Sequence, residues 1–137
     1  MRAEVAIRGA GPVGCVLALL LHQAGRPVVL NEKQKQGLST LRPAFRPLAL
    51  SHASRLILER AGAWQLLAPT PIETIHVSQQ GGFGRTRLSA ADAGVPALGY
   101  VVGYAELLER LLDRVWEIGI RIEAEAGEAP LVVHAGG

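Results

Sequence analysis

The sequence predicts an α/β fold that begins with two parallel strands joined by a helix. Within residues 1–32, a short β-branched run, a glycine-rich turn, a long apolar segment without a breaker and a second β-branched run follow one another. The chain is 49% hydrophobic but only 4% aromatic, so its core is mostly aliphatic. Its 16 glycines and 8 prolines indicate many turns between short elements. Together these observations suit an α/β protein.

The first unit is predicted from local spacing. Residues 4–7 form a strand, residues 13–24 a helix dense in Leu, Ala and Val, and residues 28–32 a second strand. Gly25 stands where a helix commonly ends in a left-handed residue. A helix between two strands implies that the strands are parallel and that the crossover is right-handed. The start of the helix then lies at the carboxyl end of the first strand.

The elements after this unit are less regular. Residues 33–47 predict a long loop and residues 48–67 a helix, while the alternation over residues 72–78 predicts a strand that turns at 81–84 and returns over 85–88. Further strands are expected over residues 98–102, 119–123 and 131–134, with a helix over 104–116. Trp64 and Trp116 fall in amphipathic segments and are expected to anchor the core.

Composition excludes several classes of function. With 14 basic and 12 acidic residues the net charge is +2, too small an excess to indicate nucleic acid or an anionic membrane as partner. Cys15 is the one cysteine, which excludes an internal disulfide and any multi-cysteine metal site and favours a reducing, cytoplasmic location. The longest apolar run, residues 16–21, is far shorter than the roughly 20 residues that span a bilayer. We therefore expect a soluble protein, with peripheral membrane contact left open.

The glycine turn of residues 9–14, GAGPVG, is the segment of the sequence that most directly indicates a ligand-binding site. Gly9 permits a tight turn, Gly11 lets a diphosphate approach the backbone, and Gly14 lets the helix pack closely on the strand. The helix start offers free N–H groups and a positive dipole to the anion. Glu32, at the end of the second strand, can accept hydrogen bonds from ribose hydroxyls, which favours FAD or NAD over NADP. The alternative is a structural turn with a solvated Glu32.

Several segments resemble the FAD-dependent aromatic hydroxylases. IRGAGPVG over residues 7–14, followed by VLNE over 29–32, resembles the start of these enzymes. The segment RPLALSHASR over 46–55 is similar to the ubiquinone-biosynthesis hydroxylases of the 2-polyprenyl-6-methoxyphenol hydroxylase type, and residues 71–84 and 94–102 agree with it. The resemblance covers roughly the first 120 residues.

The resemblance implies a Rossmann-like FAD-binding fold and an FAD monooxygenase in which NAD(P)H is the reductant and O₂ serves to hydroxylate a phenolic, prenylated ring. The implied cofactor-binding residues are Gly9, Gly11, Pro12, Val13, Gly14, Glu32, Lys33 and Arg46. Arg46 matches the family arginine that approaches the diphosphate, with a solvated loop arginine as the alternative, and an exposed lysine explains Lys33 equally well. No catalytic residue and no metal site are assigned.

The resemblance also implies a domain division. Residues 1–70 begin the FAD-binding domain, residues 71–100 form a β-hairpin insertion of the substrate domain, and residues 101–137 return to the first domain. Arg8 stands where relatives have an apolar residue, and the later Asp-Gly and Gly-Asp-Ala motifs of the family are missing. We therefore expect an incomplete N-terminal portion, cytoplasmic or peripheral to the inner membrane. A non-catalytic dinucleotide-binding module and an NAD-dependent oxidoreductase remain alternatives.

Overall fold

The computed structural model describes residues 3–32, 46–78, 85–125 and 127–136. In chain order the elements are β1 (Val5–Arg8), α1 (Pro12–Gln23), β2 (Val28–Asn31), β3 (Pro47–Leu50), α2 (His52–Arg60), a 3-10 helix (Trp64–Leu66), β4 (Thr70–Ile72), β5 (Thr74–Ser78), β6 (Arg85–Ser89), α3 (Ala90–Ala93), β7 (Gly99–Gly103), α4 (Tyr104–Glu117), β8 (Arg121–Glu123) and β9 (Leu131–His134). Four parallel strands form the main sheet in the order β8-β2-β1-β9. Three antiparallel strands form a second sheet in the order β3-β7-β4, and β5 pairs with β6.

The predicted strand, helix and strand at the N-terminus are confirmed. β1 and β2 run parallel, with Val5 opposite Val28 and Arg8 opposite Asn31. α1 begins at Pro12. Proline suits the first helical position because the backbone N–H that it lacks would have no carbonyl of the helix to donate to there. The helix ends before Gly25, which has φ +77° and donates its N–H to the carbonyl of His22 at 3.0 Å, as expected for a glycine cap.

The core lies between the main sheet and the helices α1 and α4. The helix predicted over residues 104–116 is confirmed as α4, and its side toward the core carries the buried residues Leu107, Leu108, Leu111 and Val115. The opposite sheet face carries a much smaller cluster made by Ala3, Ala6 and Val29, with Ala129 packed against it. Ala129, in the segment between β8 and β9, therefore packs on this face of the central strands.

The helix predicted over residues 48–67 is wrong in its first part. Residues 47–50 form β3, which pairs antiparallel with β7, and the helix starts only at His52. Ser51 caps it by accepting a hydrogen bond from the N–H of Ser54 at 3.1 Å. In β3 the half-buried residues are Leu48 and Leu50, a two-residue period that the longer apolar segment obscured.

The strand predicted over residues 72–78 is divided in two. β4 ends at Ile72 on the edge of β7, and β5 begins at Thr74 and pairs with β6. The predicted hairpin is confirmed in its strands, while its predicted turn at 81–84 lies outside the described residues. The short helix α3 was not predicted; Ser89 caps it by accepting from the N–H of Asp92 at 3.1 Å.

The two tryptophans differ in environment. Trp64 is half-buried and meets Tyr100 edge to face, with ring centroids 4.9 Å apart, which confirms its predicted packing role. Arg55 lies over both rings and donates hydrogen bonds to Glu59 at 2.8 Å and to the hydroxyl of Tyr100; these bonds, that to Glu59 first, raise the pKa of Arg55. Trp116, by contrast, is 78% exposed, so its predicted core role is wrong. Its position on α4 lies outside the buried stripe.

Candidate cofactor site

The carboxyl edge of the main sheet contains a point where the strand order changes direction. From β1 the chain proceeds to β2 and then β8 on one side, whereas β9 joins β1 on the other side. In open parallel sheets, ligands bind in the crevice outside such a switch point. The glycine turn follows β1, and residues 135–136 follow β9, so both segments flank this crevice.

Gly9 is fixed both by its backbone angle and by a close neighbour. Its φ of +111° is one that residues with a side chain rarely adopt, and a Cβ there would lie 2.7 Å from the nitrogen of Gly136 and 2.9 Å from the carbonyl carbon of Ala135. The N–H of Ala135 donates to the carbonyl of Arg8 at 2.8 Å, which holds this segment against the turn. The contact between the turn and residues 135–136 was not predicted.

Gly14 and Gly11 differ in their surroundings. A Cβ on Gly14 would lie 1.9 Å from the carbonyl oxygen of Gly9, so the close approach of helix and turn depends on this glycine. Gly11 has an ordinary φ of −75°, and no atom of the described residues lies within 4 Å of the place where its Cβ would stand. Folding therefore leaves the space beside Gly11 open, and a ligand can approach the backbone there.

The start of α1 is suited to an anion. Gly11 is the N-cap, Pro12 follows, and no acidic residue lies in the first turn. The N–H groups of this turn have no preceding carbonyl within the helix, and the helix dipole adds positive potential. Val13 lies there with 71% of its surface exposed, an apolar side chain beside the anion position.

Glu32 is joined directly to the turn. Its Oε2 accepts a hydrogen bond from the N–H of Ala10 at 3.1 Å, and its own N–H donates to the carbonyl of Glu123 at 3.0 Å. The residue is half-buried at the end of β2. The carboxylate is thus held beside the glycine turn by the backbone of a neighbouring strand and by the turn itself.

Cys15 forms a hydrogen bond with the same turn from within α1. The buried thiol donates to the carbonyl oxygen of Ala10 at 3.4 Å. Burial, and to a lesser extent the charge of Glu32, raise the pKa of Cys15 to about 12, so the thiol remains protonated and can act as donor. Ala10 is therefore held at its N–H by Glu32 and at its carbonyl by Cys15.

Asn31 is a polar residue of the site that the sequence reasoning missed. It is only 7% exposed and donates from Nδ2 to the carbonyl of Glu125 at 3.1 Å, while its buried Oδ1 has no hydrogen-bond partner among the described residues. Its backbone carbonyl accepts from the N–H of Gly9 at 2.9 Å. The signal in the sequence was an amide at the end of an otherwise apolar strand, immediately before Glu32.

The contacts of the predicted basic residues are given for Arg46 alone. Arg46 is exposed, its carbonyl accepts from the N–H of Tyr104 at 2.8 Å, and its guanidinium lies 4.9 Å from the centre of the Tyr104 ring. Those contacts place it at the start of α4. Lys33 lies outside the described residues. The structure thus brings together the three glycines and Glu32, and it gives Arg46 contacts with Tyr104.

Arg8 lies at the end of β1 and lines a cavity of about 750 Å³ on the sheet face opposite α1. Glu4 and Val132 line it as well, together with residues 127–130. Arg8 therefore points away from the helix side of the sheet. Within the described ranges, no helix is long and apolar enough to cross a membrane, and no three His, Cys, Asp or Glu side chains converge as metal ligands would.

Known proteins were compared with the chain by sequence family and by structure. Residues 2–127 match the family described as FAD binding domain. The tetrameric form of 2-methyl-3-hydroxypyridine-5-carboxylic acid oxygenase is 21% identical with a TM-score of 0.75, over 100% of this chain and 40% of that one. CtdE in complex with FAD and a substrate is 19% identical with a TM-score of 0.71, over 99% and 38% of the two chains.

A third structure, p-nitrophenol 4-monooxygenase from Pseudomonas putida, is 20% identical with a TM-score of 0.67, over 88% of this chain and 31% of that one. The chain thus spans two fifths or less of the length of these three structures. At such low identity the likeness supports the fold, here a Rossmann-like α/β fold with a parallel sheet. The family match covers most of the sequence, and the chain therefore belongs to the FAD-binding domain family.

Proposed function

We propose that this chain holds the adenosine diphosphate part of FAD in the crevice between β1 and β9. The open space beside Gly11, at the start of α1, is the observation that carries the proposal. Neither the fold nor the local backbone angle requires a glycine there, whereas an approaching diphosphate does. The family match supports FAD as the dinucleotide.

The residues of the turn divide the binding among them. Backbone N–H groups of the first turn, including those of Val13 and Gly14, donate to the diphosphate, and Pro12 sets the direction in which α1 starts. Glu32 accepts from the adenosine ribose hydroxyls, with its orientation fixed by the N–H of Ala10. Its charge disfavours a phosphorylated ribose, and so favours FAD over a cofactor related to NADP.

Arg46 and Lys33 are proposed as additional contacts to FAD on the strength of the resemblance of residues 46–55 and of the residue after Glu32. Arg46 is exposed and would approach the diphosphate with the guanidinium that lies over the ring of Tyr104 in this structure.

We further propose that the protein is an FAD-dependent aromatic monooxygenase. Bound FAD supplies the redox chemistry, with NAD(P)H as reductant and O₂ as the source of the oxygen atom. Two of the similar structures are by name an oxygenase of a hydroxypyridine and a monooxygenase of p-nitrophenol, which supports an electron-rich ring as substrate class. The resemblance of residues 46–55 favours a prenylated phenol of ubiquinone biosynthesis, and with it peripheral membrane contact.

The domain division stays part of the proposal. Residues 1–70 and 101–137 would contribute to the FAD-binding domain, and residues 71–100 to the substrate domain. The pairing supports the hairpin as a separate unit, because β5 and β6 pair with each other and with neither of the other two sheets.

The test compares two glycines that both have open space. Gly11→Val should weaken FAD binding at least about tenfold, the equivalent of about 1.4 kcal/mol, whereas Gly127→Val should leave it unchanged. Binding is measured by isothermal titration calorimetry with FAD and, in parallel, NAD, and folding by circular dichroism. Equal affinities of both variants and the wild type for FAD would overturn the proposal. Tighter binding of NAD than of FAD would replace it with an NAD-dependent oxidoreductase.

A further inference from the structure

Asn31 connects three segments at the carboxyl edge of the main sheet. It is the last residue of β2, the strand that lies between β1 and β8. Its backbone carbonyl accepts from the N–H of Gly9 at 2.9 Å, and its side chain extends to the other neighbour, where Nδ2 donates to the carbonyl of Glu125 at 3.1 Å. A longer contact of 3.5 Å joins Nδ2 to the carbonyl of Glu123. The glycine turn and the segment after β8 are thus both hydrogen-bonded to this one residue.

The stability of the fold does not explain why an amide is buried at this position. The rest of β2 is apolar and buried, and Asn31 is only 7% exposed. Its buried Oδ1 has no hydrogen-bond partner among the described residues, which costs free energy that an apolar side chain would not cost. Its partner Glu125 is exposed, so water can take the place of Nδ2 at that carbonyl. An apolar residue should therefore serve the fold at least as well.

The hydrogen bond to Glu125 fixes a segment that borders the cofactor crevice. Along the carboxyl edge of the sheet the glycine turn follows β1, Glu32 follows β2, and residues 124–125 follow β8. With the diphosphate at the start of α1 and the ribose at Glu32, the base is the next group of the cofactor, and the end of β8 is the next strand end. Residues 124–125 are both exposed. The adenine base would therefore lie against their backbone.

We propose that Asn31 is a positioning residue of the cofactor site, which holds residues 124–125 in place for the adenine end of FAD. The inference rests on the proposed function, since it requires the adenosine diphosphate to lie in this crevice. Asn31 acts through the backbone of Glu125. Without this hydrogen bond the segment has more freedom, and ordering it on binding reduces the affinity for the cofactor. The side chain that suits the strand best and the side chain that suits the cofactor best are then different.

Two substitutions in β2 should separate cofactor binding from stability. Asn31→Leu keeps the branched shape of the side chain but removes the donor, so FAD affinity should fall at least about fivefold, the order expected for one lost hydrogen bond, while the midpoint of urea unfolding should equal or exceed that of the wild type. Val29→Ala is the control, because Val29 is buried in the same strand and packs with Ala3 and Ala6. It should lower the midpoint and leave FAD affinity unchanged. Asn31→Val, with a smaller side chain that suits a strand, replaces Asn31→Leu if leucine overpacks.

A comparison of FAD with ADP in isothermal titration calorimetry locates the effect at the adenosine end. Because residues 124–125 are placed beside the adenine, Asn31→Leu should weaken the binding of both ligands by the same factor. A wild-type chain that does not bind both FAD and ADP would overturn the proposed function and this inference with it. If the wild type binds both, the inference alone is wrong when Asn31→Leu binds FAD as tightly, when the loss is confined to FAD, or when the variant has a lower urea midpoint than the wild type.

Discussion

Replacing Gly14 by alanine sets two physical effects against each other. In a helix, alanine is favoured over glycine by up to about 1 kcal/mol, so helix propensity alone predicts a more stable protein. The structure predicts the opposite, because the new Cβ would lie 1.9 Å from the carbonyl oxygen of Gly9, where ordinary contact begins at 3.4 Å. The start of α1 and the turn would have to separate by about 1.5 Å.

The magnitude follows from what is displaced. The clash involves a backbone carbonyl and not the end of a flexible side chain, so we take the upper part of the usual range for overpacking, about 3 kcal/mol. After subtraction of the gain in helix propensity, the free energy of unfolding should fall by about 2 kcal/mol, roughly a 30-fold change in the folding equilibrium. FAD affinity should fall as well, because the turn moves.

Urea unfolding followed by far-UV circular dichroism measures this change. The midpoint should decrease while the slope with urea stays constant. Gly127→Ala is the control, since a Cβ there meets no atom within 4 Å and its stability should match the wild type to within about 0.5 kcal/mol. A Gly14→Ala variant as stable as the wild type, or more stable, would refute the packing argument and leave propensity as the dominant effect.

Three further predictions concern other parts of the fold. The protonated thiol of Cys15 contributes stability below pH 9, and this contribution is lost as the pH rises toward about 12. The free energy of unfolding should therefore fall more steeply with pH over this interval in the wild type than in Cys15→Ala. Equal slopes would contradict the raised pKa of Cys15. Trp116→Ala should change stability by less than about 0.5 kcal/mol in urea, and a larger loss would show that the side chain packs. Arg55→Met removes the hydrogen bond from α2 to the hydroxyl of Tyr100, so it should lower the midpoint of thermal unfolding and shift the emission of Trp64 to longer wavelength. An unchanged midpoint would assign no stabilising role to this contact.

Local patterns were sufficient where neighbours in sequence are also neighbours in space. The unit β1-α1-β2 and the buried side of α4 are indicated by the spacing of apolar residues in strands and helices and by the residues that cap the helices. Each of these signals involves residues close together in the sequence. The position of Glu32, directly after β2, could be predicted for the same reason. Its hydrogen bond with Ala10 joins residues that the spacing of the turn and the strand already brought to one edge.

Elements that form only through contact with residues distant in sequence could not be predicted from these local patterns. β3 exists because it pairs with β7, some fifty residues later in the chain, and the local sign that the helix starts only after it is the N-cap residue Ser51. Likewise the exposure of Trp116 follows from which side of α4 meets α1 and the sheet. In the site, the need for glycine at position 9 arises in part from Gly136, at the other end of the chain.

The contact of Gly9 with residues 135–136 joins two segments that are far apart in the sequence, at the cofactor crevice. Closing so long a loop costs conformational entropy, which the contact must offset. Because residues 135–136 lie against Gly9 and the N–H of Ala135 donates to Arg8, the order of the turn depends on the docking of β9 on β1. A dinucleotide that binds the ordered turn must in return stabilise the docked strand, and amide hydrogens of β9 should exchange more slowly in its presence.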